Sequence, residues 1–150
     1  MATQDARASY DQDFYAWTQE QAALLKAGKL TEIDVANVAE ELEDMGKSQK
    51  SQLVTRLGLL LAHMLKWHYQ SERRRHSNSW KYTIKEQRRR IHRLLDENPS
   101  LKSRLDKAFQ DAYGDAVLIA ARETGFEEDN FPVSCPWTLE QALDDDFWPD

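Results

Sequence analysis

A glutamate and a histidine facing each other across two packed helices are common makings of a metal or acid–base site in a helical bundle. This chain offers such a pair in Glu41 and His63. With Val38 at the centre of its helix's apolar face, Glu41 lies about 60° to one side and Asp34 about 40°, at ~100° per residue. Both stand at the edge of that face, while Glu40 lies nearly opposite, toward solvent. His63 shares a face with Trp67, four residues on. If the helices carrying them pack together, Glu41 and His63 meet, either as ligands for a divalent metal or as a buried histidine satisfied by a carboxylate. No cofactor is identified by motif: the chain has no helical His-x-x-x-His or Glu-x-x-His pair, the spacings that make such sites recognisable. His68 with Glu72 and His92 with Asp96 sit four apart and read as surface ion pairs.

A second chemistry is suggested by charge. From Ser71 to Arg93 there are nine Lys and Arg against two acids, +7 in a protein of net charge −6. Arg73, Arg74 and Arg75 fall in a polar loop; Lys85, Arg89 and Arg93, with Arg90 beside them, fall on the outer face of a helix. Such cations neutralise phosphates and release counterions, so the segment is a candidate surface for nucleic acid or another polyanion. Against this stands a sequence pI of about 5.2, because nucleic-acid domains are more often basic overall. From Glu127 to Asp150 there are eight acids and no Lys or Arg, and that tail could instead lie on the basic face.

Cys135 is the one cysteine. Its acidic neighbourhood disfavours a thiolate, and an internal disulfide is excluded, so a reducing, cytoplasmic setting is expected. No Gly-x-Ser-x-Gly elbow or glycine-rich phosphate loop occurs.

The elements that must position these residues are helical. Apolar residues recur every three and four positions, giving expected helices at 11–27, 32–45, 47–70, 80–98 and 101–124. Thr31 is read as the cap of the second, Val35, Val38, Leu42 and Met45 as its core face, and Gly46 as the break before the third. Leu53 to Trp67 is apolar over a wide arc, as in the central helix of a bundle. Thr138 and Gln141 mark a short helix at 139–143 within an extended, aromatic, acidic tail, 126–150. The expected fold is all-α: one domain over 1–150, an up-and-down bundle of four to five helices. The longest apolar run, Leu57 to Leu65, is far below the ~20 residues that span a bilayer, so no membrane partner is expected.

Several separated strings carry a family resemblance: Tyr10-Asp11-Gln12-Asp13-Phe14-Tyr15-Ala16-Trp17, Glu40 to Gly46, Leu61-Ala62-His63-Met64-Leu65-Lys66-Trp67, Ser79-Trp80, Glu86-Gln87-Arg88, Pro99-Ser100-Leu101, Phe131-Pro132 and Cys135-Pro136-Trp137. In this order they resemble the bacterial "domain of unknown function 29" family, over nearly the whole chain. The resemblance implies a helical, cytosolic protein and carries over no activity, ligand or catalytic residue.

With no catalytic constellation in the sequence, the preferred reading is a non-enzymatic helical module acting through a protein partner or as a homo-oligomer. Its support is the five tryptophans and the wide apolar arc, more than a small domain readily hides. The alternatives are a metal-binding or metal-dependent bundle on Glu41 and His63, and a polyanion binder on the 71–93 segment.

Overall fold

The computed structural model describes residues 8–70, 72 and 78–150. Among them are five α-helices and no strand: α1 (Phe14–Lys26), α2 (Val35–Tyr69), α3 (Asn78–Glu97), α4 (Leu105–Thr124) and α5 (Leu139–Leu143). The fold is a helical bundle. No helix among the described residues is long and apolar enough to cross a membrane. The chain clusters into two compact units, Met1–Ser48 and Gln49–Asp150. No linker marks the boundary, because it falls inside α2.

In the first unit, Asp13 caps α1 by accepting from the Ala16 amide at 3.1 Å. Gly28, at φ 71°, ends it. Its amide donates to the Leu25 carbonyl, and that of Lys29 to the Leu24 carbonyl. Those two bonds are the Schellman closure, and they need a left-handed residue at Gly28. Trp17 and Gln21 are the buried residues of α1, and the Tyr10 and Phe14 rings pack against Trp17 at centroid distances of 4.7 and 5.7 Å.

The cap of α2 is Asp34, not Thr31, which lies in a 3-10 turn at Leu30–Glu32. The Asp34 carboxylate accepts from the Asn37 side chain at 2.8 Å and from the Trp17 indole at 3.1 Å. Its own amide donates to the Gln21 side chain at 2.8 Å. A carboxylate before the first helical turn satisfies amides that have no partner within the helix. The expected break at Gly46 is absent: α2 runs through it for 35 residues. One glycine costs a helix only about 1 kcal/mol relative to alanine, too little to stop a helix with strong formers on both sides. The expected core face of this stretch is not covered either. Val35, Leu42 and Met45 are 66%, 62% and 62% exposed.

In the second unit, Leu53, Leu57, Leu60, Leu61, Met64 and Leu65 of α2 are fully buried. They pack with Ile84, Ile91, Leu94 and Leu95 of α3 and with the alanine ridge Ala108, Ala112, Ala116 and Ala120 of α4. The four-residue spacing of those alanines lets backbones approach closely. A Cβ built on Gly58 would stand 3.7 Å from the Ala112 carbonyl oxygen. The wide apolar arc of α2 is thus hidden within the unit, which removes it as a reason for self-association. A 3-10 turn, Pro99–Arg104, precedes α4, where an α-helix from 101 was expected, and Gly125 ends α4 at φ 78°. Beyond it, Phe131, Trp137 and Ala142 join the core.

Candidate functional site

Glu41 and His63 do not meet as partners from two helices. Both belong to the one helix α2, Glu41 in the first unit and His63 in the second. Glu41 instead accepts a hydrogen bond from the Tyr10 hydroxyl. That bond and the nearby burial push the tyrosine's pKa up to about 12. The His63 Nδ1 lies 2.8 Å from the Leu59 carbonyl oxygen one turn back, so that nitrogen carries the proton. Burial holds its pKa below the usual histidine value. Among the described residues no group of three or more His, Cys, Asp and Glu is placed to hold a metal ion.

The polar partner of this region is one that sequence reasoning missed. Lys66, whose side chain is 9% exposed, places its ammonium 2.7 Å from Glu123 Oε2 on α4 and 5.0 Å from the centre of the Trp80 ring. The hydrogen bond from Lys66 draws the Glu123 pKa down.

The basic segment is better organised. Arg73, Arg74 and Arg75 lie outside the described residues. Lys85, Arg89 and Arg93 line one cleft of about 710 Å³, together with His92. Its other charges are Asp96 and two tail residues, Asp145 and Asp146. An adjoining cleft of about 490 Å³ shares Lys85, Asp145 and Asp146 and adds Lys81, Trp67 and Trp148. Arg90 stands apart from this groove and pairs with Glu86 at 2.8 Å, one turn back.

The acidic tail is held beside the basic helix by two α3 side chains. Arg88 is fully buried, and its Nε donates to the Ala142 carbonyl at 2.8 Å. The His92 Nε2 lies 2.8 Å from the Leu143 carbonyl oxygen. Both carbonyls are in the last turn of α5, where helical carbonyls lack partners within the helix. At its start, α5 is closed by a capping box between Thr138 and Gln141. The Arg88 guanidinium also lies 5.5 Å from the centre of the Trp148 ring. Among the described residues its two terminal nitrogens have no hydrogen-bond partner. Burial pulls the Arg88 pKa down, and the charges of Asp145 and Asp144 act to raise it. A signal for Arg88 was present in the sequence: it stands four residues after Ile84 and three before Ile91, on the apolar stripe.

Cys135 is half-buried, and burial raises its pKa, the direction that disfavours a thiolate.

A family model described as Domain of unknown function DUF29 matches residues 9–148. No curated protein matches the chain, and no solved structure does.

Proposed function

This chain belongs to the Domain of unknown function DUF29 family, and on that footing we propose that it is a non-enzymatic interaction module that self-associates through the apolar face of α2. One observation carries the reading. Val35, Leu42 and Met45 are more than 60% exposed, yet with Val38 they fall at successive spacings of three, four and three along one helix face. That is the a and d spacing of a helix seam, and large exposed apolar groups in one place mark interaction surfaces. Phe14, Tyr15, Leu25 and Leu30 of the same unit are exposed too.

A second copy of the chain is the occupant that the charges favour. Along α2, the acids Glu40, Glu43 and Asp44 give way to Lys47 and Lys50. Two such helices side by side in opposite directions bring the acids of each to the lysines of the other, as a two-fold interface requires.

Sedimentation equilibrium of the full chain tests the proposal. The wild type is expected to show a concentration-dependent mass rising to at least two chains. The Leu42→Glu, Met45→Glu double variant is expected to stay at one chain with unchanged helicity. A wild type that remains one chain at every concentration overturns it.

A further inference from the structure

The groove between α3 and the tail has a cationic wall with a regular repeat. Lys81, Lys85, Arg89 and Arg93 recur every four residues, and all four line the two adjoining clefts. At ~1.5 Å per residue they form a line of about 18 Å with a charge every ~6 Å. A repeating anion fits such a line better than one compact carboxylate does.

Asp145 and Asp146 of the tail line both clefts, and Asp96 of α3 lines the larger one. The tail is anchored on either side of Asp145 and Asp146. Before them, the Ala142 and Leu143 carbonyls sit on Arg88 and His92. After them, Trp148 packs on Trp67 at 4.8 Å and Pro149 is fully buried. Asp144, Asp145 and Asp146 form an exposed span between these anchors. Among the described residues no ion pair joins Asp145 or Asp146 to Lys85, Arg89 or Arg93. Among the described residues no ion pair neutralises Lys81, Lys85, Arg89 or Arg93 by direct contact.

We propose that this groove binds a linear chain of phosphates along Lys81, Lys85, Arg89 and Arg93, and that Asp145 and Asp146 act as a built-in competing anion that sets its affinity. Two sources share that chemistry: inorganic polyphosphate and the backbone of a single-stranded nucleic acid. The indole of Trp148 lines the Lys81 end, where an unpaired base would find a stacking surface that a bare phosphate chain does not use.

The test uses the full chain with a fluorescein-labelled oligodeoxythymidylate, and inorganic polyphosphate as competitor. The wild type is expected to bind at low salt. Four phosphate contacts at ~0.7 counterion each weaken binding roughly fiftyfold between 50 mM and 200 mM salt. The Lys85→Gln, Arg89→Gln, Arg93→Gln variant changes exposed side chains only and is expected to lose most of the affinity and of the salt slope. The Asp145→Asn, Asp146→Asn variant is expected to bind about tenfold more tightly, since two repelling charges are gone. Competition by polyphosphate assigns the site to the phosphate chain itself. Failure to compete, with tryptophan fluorescence quenched by the oligonucleotide, assigns it to single-stranded nucleic acid. Absence of binding to both probes at low salt overturns the proposal. So does an affinity untouched by the glutamine changes, or one that the asparagine changes do not raise.

Discussion

The ammonium of Lys66 on α2 and the carboxylate of Glu123 on α4 lie 2.7 Å apart, the lysine side chain 9% exposed and the glutamate 40%. The difference in exposure makes the pair asymmetric. Removing Glu123 strands a charge that water hardly reaches; removing Lys66 leaves a carboxylate that water can solvate. Glu123→Ala is therefore expected to destabilise the protein by about 2 kcal/mol, the scale for a buried polar group left unpaired. Lys66→Met is expected to cost clearly less. Urea denaturation of both variants checks the order, and a larger loss for Lys66→Met contradicts the asymmetry.

Acid sensitivity of the first unit follows from Asp34. The hydrogen bond from the Asn37 side chain and that from the Trp17 indole hold its pKa below the usual aspartate value, which is about 3.9. These bonds favour the charged, folded form. Their stabilisation is complete above the unfolded value and is lost as pH falls through the lower, folded one. Trp17 fluorescence is expected to change in a step below about pH 4. Asp34→Asn, which remains a good cap, should remove the step. Asp34→Ala should lower stability by about 1 kcal/mol at neutral pH. A step that persists in Asp34→Asn assigns it to another group.

Continuity of α2 is tested at Gly46. A Cβ there meets nothing within 4 Å, so Gly46→Ala is expected to stabilise the helix by about 1 kcal/mol. Gly46→Pro should cost about 3 kcal/mol or more by breaking it. Circular dichroism and thermal melts separate the cases. If proline is neutral there, two helices meet at Gly46.

Arg88 is the buried end of the tail's attachment. Arg88→Ala removes the donor to Ala142 and leaves a cavity among core residues, at an expected cost of about 3 kcal/mol. The more specific readout is limited proteolysis. The segment after Phe131 should be released at concentrations of protease that leave the wild type intact. A tail equally protected in the variant shows that its aromatics alone hold it.

Much of the fold was legible because periodicity reports which residues share a face. Trp80, Ile84, Gln87, Ile91, Leu94 and Leu95 are that kind of stripe; Trp80 is half-buried and the other five are buried. The same rule is silent on whether anything covers the face. Val35, Leu42 and Met45 obey it equally well and stand exposed. Gly46 misleads for an energetic reason: a weak local preference against helix is outweighed by the cooperativity of the residues around it. The Glu41 and His63 pairing depended on that break, since only a turn at Gly46 would set them on opposed helices. Arg88 and Lys66 are not legible from residue type alone: each has a long apolar stem that packs, while Lys66 meets Glu123 and the Arg88 Nε meets the Ala142 carbonyl. For the basic segment, the sequence supplied its charge but not the groove, because the tail residues that line it lie more than fifty positions away.

The attachment of the tail has a consequence for how freely this protein can change. Arg88 and His92 grip the main-chain oxygens of Ala142 and Leu143, atoms that every amino acid carries. Substitutions at Asp144, Asp145 and Asp146 leave both bonds in place. What couples the charge of the span to its place is instead the offset that Asp144 and Asp145 give to the buried charge of Arg88, so neutralising them loosens the grip through the anchor while both main-chain bonds stay available.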